Sequence, residues 1–376
     1  MTGFVRTRLR IGGLFALAIS LIISAVGFAQ APPDQAAQPG TSKPGTSEPI
    51  PIEVFQSPHP KHIGRPTCDN PNTTGDLAGA CGALRQGTEG WVELGFMVDP
   101  QGKPFEITVI RSTGSKVFDD AAARAIAQSS FEPGTLDGKP IESGFEMKYL
   151  FYNQGTRASM GASPAFVRDY KALMSAMASG DRAAADAALG RLKIHNLYED
   201  AYFGLATSVY AQKWGDEAQQ LEGLRRAIAE EDVAHYLPKD MFQAALLTRL
   251  KLELKTHDYA EVMKTWKRLQ KLGVDPDTQS RILPVIDQLK QLRTNDSRYD
   301  MVEQMPEGSL LVRLFKRHFQ AIVSDGFIEQ VKLRCDKRYV YFNFDPKLEY
   351  QIANADGNCS AEFDGARGTK FKLVQY

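Results

Sequence analysis

The 376-residue sequence lacks an excess of charge of either sign, because 45 Lys and Arg residues are matched by 45 Asp and Glu residues. Proteins that bind nucleic acid or coat an anionic membrane surface are normally rich in basic residues. The composition therefore gives no reason to expect either kind of partner, and we predict no nucleic-acid partner.

The sequence also lacks the motifs that mark common catalytic and nucleotide sites. It contains no G-x-S-x-G, no H-E-x-x-H, no P-loop and no dinucleotide fingerprint. The acidic runs Asp119-Asp120 and Glu230-Glu231-Asp232 fit a helix N-terminus and a solvated helix end, respectively. We therefore predict that the protein is not an enzyme and has no catalytic residues and no cofactor.

Long apolar runs are scarce, and the clearest lies at the N terminus, where residues 11–28 carry no charge. Three arginines precede this run, and Gly27 and Ala29 supply small residues at the positions that a signal peptidase reads. Residues 1–29 are therefore either a cleaved signal peptide or an uncleaved inner-membrane anchor, since the run is at the lower edge of what spans a bilayer. Both alternatives predict a periplasmic protein, soluble after cleavage or tethered to the inner membrane.

Cysteine is scarce too. The four cysteines fall into two local pairs, Cys68 with Cys81 and Cys335 with Cys359. Two short-loop disulfides are the default for an exported chain. His59 and His62 lie close enough to the first pair to suggest zinc as an alternative, but the oxidising compartment favours the disulfide. We predict no metal site.

The remaining sequence divides by composition. Residues 30–60 are rich in proline and small polar residues, which predicts a disordered or extended linker. Residues 61–153 form a first folded unit, and a short linker follows at 154–164. Apolar residues recur at helical spacing through 165–297, and strand-like alternation returns in 306–376. We therefore predict a multidomain protein.

The first folded unit is predicted to be α+β. Apolar and other residues alternate over 91–98 and again over 105–110, with a turn at 99–102. Apolar residues at spacings of three and four over 118–126 predict a helix, and 145–151 read as a last strand. The predicted order is strand, strand, helix, strand.

This unit carries a specific set of residues at fixed spacing. They are Gly90 to Asp99, Gly102, Val109, Ser112 to Gly114, Asp119, Ala121 to Ala123, Phe131 to Pro133 and Gly138 to Ile141. Turns, helix and spacing agree together, and the unit resembles the C-terminal domain of the TonB family. The resemblance covers about 60 residues.

The resemblance implies a domain that binds an extended peptide from a partner protein, such as an outer-membrane TonB-dependent receptor. An exposed sheet edge would accept the peptide as an added strand. In this family the edge is the strand after the helix, here 143–151. The candidate partner-binding residues are Ser143, Phe145, Met147, Tyr149 and Phe151. The alternative is that their side chains pack on the helix and only the backbone edge binds.

The resemblance also raises energy transduction to outer-membrane receptors and transport as a role. Energy-transducing members carry a His near a Ser in the membrane segment. The apolar run of this sequence contains Ser20 and Ser24 but no His. An ionisable group inside a membrane is normally the functional one, so its absence argues against active transduction and leaves that role open.

The second half is predicted to hold two further domains. Residues 165–297 resemble tetratricopeptide or related helical hairpin repeats, with Gly-Asp or His-Asp pairs at 180–181, 215–216 and 257–258. Such a region would make the protein a soluble periplasmic scaffold that binds peptides or proteins, and a plain helical spacer is the other alternative. Residues 306–376 predict a small all-β domain stapled by Cys335 and Cys359.

A basic strip in the last domain is predicted to be a solvated strand face. It consists of Lys332, Arg334, Lys337 and Arg338. The function predicted for the whole protein is protein–protein interaction in the cell envelope, with the first unit capturing a partner strand. The sequence leaves the oligomeric state open.

Overall fold

A computed structural model of the protein describes residues 54–64, 76–152, 161–232 and 234–376, and every structural statement below concerns these residues. The predicted signal or anchor at 1–29, most of the linker at 30–60 and Cys68 lie outside them. No helix within the described ranges is both long and apolar enough to cross a membrane.

The N-terminal unit is built on a three-stranded antiparallel sheet. Its strands and helix are β3 (Gly90–Val98), β4 (Pro104–Ser112), α2 (Lys116–Ala127) and β8 (Ser143–Phe151), and the strand order is β4-β3-β8. The predicted order of strand, strand, helix, strand is confirmed. Gly102 closes the β3–β4 turn at φ 82°, and a Cβ there would lie 2.0 Å from the Phe131 carbonyl oxygen. Only glycine fits this turn.

Short elements that the sequence did not predict surround this sheet. They are β1 (Phe55–Gln56), β2 (His59–His62), α1 (Asp76–Arg85), β5 (Ser130–Glu132), β6 (Gly134–Leu136) and β7 (Lys139–Ile141). β1 pairs with β6 and β2 pairs with β5. Residues 55–56 and 59–60, which the sequence analysis assigned to the linker, are therefore strands of the first unit, because backbone pairing orders a proline-rich stretch that has few apolar side chains of its own.

One face of the sheet packs on α2, and we call it the helix face. Val92, Leu94 and Phe96 point to this side and are buried with Phe118 and Ile126 of α2. The opposite face, here called the far face, carries Trp91, Glu93, Gly95 and Met97 of β3 and Gly144, Glu146, Lys148 and Leu150 of β8. Trp91 and Met97 are also buried, so β3 is covered on both sides.

The middle of the chain is helical. Its helices are α3 (Pro164–Ser179), α4 (Arg182–Arg191), α5 (Leu197–Trp214), α6 (Glu217–Ala227), α7 (Lys239–Lys255), α8 (Tyr259–Leu272) and α9 (Pro276–Thr294). The side chains of Asp181, Asp216 and Asp258 accept hydrogen bonds from backbone N–H groups at the starts of α4, α6 and α8. The Gly-Asp and His-Asp pairs identified in the sequence therefore mark the start of the second helix of each helical pair.

The C-terminal part is all-β. Its strands are β9 (Tyr299–Gln304), β10 (Ser309–Arg313), β11 (His318–Asp325), β12 (Ile328–Cys335), β13 (Tyr339–Asn343), β14 (Tyr350–Gln351), β15 (Cys359–Gly365) and β16 (Lys370–Gln375). They form two four-stranded antiparallel sheets, β10-β15-β12-β13 and β14-β11-β16-β9. Cys335 and Cys359 are opposite each other on β12 and β15 and form a disulfide. The buried apolar residues of this part join those of the helices in one cluster.

The closest helix contact is between α5 and α6, where two glycines face the partner backbone. A Cβ on Gly204 would lie 2.5 Å from the Ala227 nitrogen, and one on Gly223 would lie 2.6 Å from the Ser208 nitrogen. Neither distance leaves room for a methyl group. The two glycines therefore let the helix backbones touch.

This contact predicts opposite effects for two glycine substitutions. Gly223→Ala should lower the free energy of unfolding by about 1–3 kcal/mol, because the helices must move apart. Gly190→Ala should raise it by about 0.5–1 kcal/mol, because Gly190 lies in α4 with nothing within 4 Å of the added Cβ. Denaturant unfolding followed by circular dichroism measures both, and a stabilised Gly223→Ala variant would contradict the close packing.

Candidate protein-binding site

Strand β8 lies at one edge of the sheet, since it pairs with β3 on one side only. The direction of its backbone groups follows from one hydrogen bond: the N–H of Thr113, just after β4, donates to the Trp91 carbonyl at 3.1 Å. Odd-numbered β3 residues therefore point toward β4, and the even-numbered ones toward β8. The register places Val92 opposite Tyr149 and Leu94 opposite Met147. Because these even-numbered β3 residues point toward β8, Val92 forms a hydrogen-bonded pair with Tyr149 and Leu94 forms one with Met147.

The outward backbone groups of β8 therefore belong to its even-numbered residues. These are Gly144, Glu146, Lys148 and Leu150. Their N–H and C=O groups have no backbone partner within the described part of the chain. They present an open row of donors and acceptors, which is what an added strand requires.

The side chains of the five predicted partner-binding residues lie on the helix face. Ser143, Tyr149 and Phe151 are buried, while Phe145 and Met147 are partly buried against the same core. The Phe151 ring stacks on Phe118 of α2 at a centroid distance of 4.6 Å. These side chains therefore pack toward the helix, as the alternative interpretation of the sequence expected. Their role in binding stays a prediction, and the backbone of the alternate residues forms the open edge.

The far face is occupied by the rest of the protein, which the sequence did not predict. The Trp91 indole Nε1 donates to the Asp200 carboxylate of α5 at 3.0 Å. Arg226 of α6 bonds the other oxygen of the same carboxylate at 2.7 Å. Burial raises the pKa of Asp200, and these two partners act against that rise. The sheet is therefore fixed to α5 and α6 by a buried carboxylate that has a partner on each oxygen.

A second group of buried charges ties the far face to the C-terminal sheet. Arg334 of β12 forms an ion pair with Glu362 of β15, and both side chains are nearly inaccessible. The same guanidinium donates to Thr108 of β4 at 2.8 Å and to the backbone oxygen of Glu106. Lys332 bonds the Glu106 carboxylate at 3.0 Å. The basic strip was predicted to be solvated, and this is wrong for Arg334, because β4 covers it.

A third group lies between β8 and helix α8. Glu146 pairs with Arg313 of β10 and with Lys264 of α8. Arg313 also bonds Glu261 of α8 at 2.7 Å, and Arg249 of α7 bonds that carboxylate at 2.6 Å. Burial would raise the pKa of Glu261, but Arg313 and Arg249 outweigh it and hold the pKa well below its usual range. The side chain of Glu146 is thus held down on the far face while its backbone faces outward.

The loop after α6 is the fourth contact. The Lys148 ammonium lies 3.1 Å from the Glu230 carboxylate and donates to the Ala229 backbone oxygen. Glu230 and Glu231 are both buried, so the prediction that this acidic run is a solvated helix end is wrong for these two residues, whereas Asp232 is exposed. The run folds inward because Lys148 and the backbone N–H of Leu237 supply partners.

A cavity of about 420 Å³ opens beside the first residues of β8. Its walls are Gly144 and Glu146 of β8, the exposed side of α8, the end of α9, and the disulfide-linked ends of β12 and β15. Lys267 and Arg293 are among the lining cations. The cavity therefore lies next to the strand whose outward backbone groups are open.

The predicted first disulfide and its zinc alternative involve residues near β2. Cys81 is disulfide-bonded, whereas Cys68 lies outside the described residues, so their pairing stays a prediction. His59 and His62 are exposed on β2. Within the part of the chain that the structure describes, no group of three or more His, Cys, Asp or Glu side chains has the geometry to hold a metal.

Comparison with known proteins agrees with the fold of the N-terminal unit. Residues 82–152 match the Gram-negative bacterial TonB protein C-terminal family. The resemblance read from the sequence is confirmed for this part of the chain. Protein TonB of Vibrio cholerae serotype O1 is 32% identical over 73 residues, a match that covers 19% of this chain and 30% of that relative. The TonB C-terminal domain thus accounts for a small part of either protein.

Breaking the buried ion pair predicts a large loss of stability. Arg334→Met would leave the Glu362 carboxylate buried without its main partner, and we expect about 3 kcal/mol less unfolding free energy. Arg367→Met is the matched control, because the side chains of Arg367 and of its partner Glu307 are both exposed. That control should change stability by less than about 0.5 kcal/mol. Equal losses in the two variants, measured by guanidinium unfolding, would contradict the role of the far face.

The buried Glu231 carboxyl predicts a pH dependence. Burial raises its pKa to about 7, against 4.5 in an unfolded chain. Between these values the folded state holds the proton and the unfolded state does not, so this group's contribution to stability falls as the pH rises from 4.5 to 7. Glu231→Gln removes the effect. Its stability relative to the wild type should therefore rise by on the order of 1–3 kcal/mol from pH 5 to pH 8. A stability difference between Glu231→Gln and the wild type that stays constant from pH 5 to pH 8 would contradict the raised pKa of Glu231.

Proposed function

We propose that the protein is a non-enzymatic cell-envelope protein that captures an extended segment of a partner protein along the open edge of β8. The observation that carries the proposal is the row of outward backbone groups on the even-numbered residues of β8. An added strand would bond the N–H and the C=O of each even-numbered β8 residue, and these groups otherwise bond only to water. The match of residues 82–152 to the TonB C-terminal family supports a TonB-like role in the envelope.

The contacts on the two faces of the sheet favour edge capture over binding to a face. Core side chains occupy the helix face, and α5, α8 and β12 occupy the far face. A partner therefore meets β8 through its backbone and through the side chains at the rim. Backbone pairing is tolerant of sequence, which fits a domain that reads extended segments of more than one receptor. The proposed partner class is the periplasm-facing segment of an outer-membrane receptor.

Amide exchange measured by NMR tests this proposal residue by residue. In the free protein the N–H groups of Glu146 and Lys148 should exchange faster than those of Phe145 and Met147, which bond to β3. Peptides from the periplasm-facing segments of receptors of the same cell should slow the first two by at least about tenfold and leave the others unchanged. Slowing that is absent, or confined to the helices, would contradict capture at β8.

A pair of variants at one position separates the backbone from the side chain. Lys148→Pro removes an outward N–H without removing a bond to β3, and an edge strand tolerates proline. Lys148→Ala loses the same contacts with Glu230 but keeps the N–H. We expect peptide binding to be lost in the proline variant and retained in the alanine variant, with both still folded by circular dichroism. Equal binding by the two would show that the edge is not used.

A further inference from the structure

The cavity beside β8 has a charge imbalance that the ion-pair networks do not explain. Its lining contains five cations, Lys264, Lys267, Arg293, Arg313 and Arg334, and two carboxylates, Glu146 and Asp336. Arg313 and Arg334 are neutralised by Glu261 and Glu362 behind the wall. The remaining excess is positive and lies on the side formed by α8 and α9.

Two of these cations have no carboxylate partner within the described residues. Lys267 is exposed on α8 and makes no ion pair there. Arg293, near the end of α9, donates to the side-chain oxygen of Asn358 at 2.7 Å and lies over the Phe315 ring at 5.8 Å. Asn358 in turn donates to Asp336. Arg293 is thus held in place by a neutral group and an aromatic ring, and it reaches the Asp336 carboxylate only through Asn358.

Most of the remaining lining side chains are apolar, although Ser57, Asn358 and Ser360 add polar groups. Met263 of α8, Leu311 of β10, and Leu314 and Phe315 after β10 complete the wall. An anion that enters such a partly apolar cavity loses some solvent and therefore interacts more strongly with the cations than it would at an open surface. The cavity thus suits a carboxylate carried on a hydrocarbon stem better than a small hydrated anion.

We propose that this cavity receives an Asp or Glu side chain of the partner segment captured by β8. The proposal rests on the proposed function and adds the partner's chemistry to it. A strand paired with β8 would carry every second side chain on the far face, where Gly144 and Glu146 already point. Lys267 and Arg293 line the same cavity as Gly144 and Glu146, so a side chain that enters it from β8 meets their charges.

Selection from displayed peptides tests the proposal without knowledge of the natural partner. The probes are short random segments fused at both ends to a carrier, so that every carboxylate comes from a side chain. The full chain should enrich segments with Asp or Glu at one fixed position. Replacing that residue by Asn or Gln in synthetic capped peptides should weaken binding by about tenfold.

Matched variants then locate the preference. The double variant Lys267→Gln with Arg293→Gln should bind acidic and amide peptides equally, while retaining the amide-exchange protection of Glu146 and Lys148. Lys290→Gln is the control, because Lys290 is an exposed α9 cation outside the cavity that pairs with Asp287. It should keep the preference for the acidic peptide.

Three results would overturn the proposal, and they have different meanings. Peptides that protect the β8 edge equally in acidic and amide form would leave strand capture standing and remove the carboxylate site. A preference that requires a free peptide C terminus would assign the cavity to a terminal carboxylate. Peptides that bind without protecting Glu146 and Lys148, or no binding at all, would remove the proposed function together with this inference.

Discussion

Buried charges on the far face of the three-stranded sheet connect the sheet to the helices and to the C-terminal strands. A carboxylate taken out of water is stable only when paired and hydrogen-bonded, so each contact restricts how the sheet and the rest of the chain can meet. Asp200 receives Trp91 and Arg226, and Glu362 receives Arg334. These contacts are directional, whereas apolar packing alone would allow the sheet to slide. The sheet therefore has a defined position relative to the helices and the C-terminal strands.

That position determines which surface of the sheet remains for a partner. Both faces are filled, one by α2 and the other by the downstream chain, and the outward backbone of β8 is left at the rim. The downstream chain also builds the wall of the cavity beside this rim. Segments far apart in sequence, around residues 145, 265 and 335, thus meet at one place. The parts beyond the TonB C-terminal domain contribute to the candidate site directly.

Local structure was largely predictable from the sequence, whereas contacts between distant segments were not. Alternation over 91–98 and helical spacing over 118–126 predict the strand and helix that are observed, because one face of each is buried against the other. The sequence did contain one indication that the far face is covered. Trp91 and Met97 place large apolar side chains on the side of β3 opposite α2. A strand that is apolar on both faces is normally covered on both. The partners that bury Arg334 and Glu230 come from long-range folding, and no local pattern encodes them.

The disulfide between Cys335 and Cys359 determines in which cellular compartment the wall of the cavity can form completely. The two residues pair directly across β12 and β15, and both line the cavity. In a reducing compartment they would be thiols, and this part of the wall would be held by strand pairing alone. The cavity therefore reaches its final form only where an oxidant is present. Under the proposed function, partner binding at the cavity would therefore depend on the chain reaching an oxidising compartment.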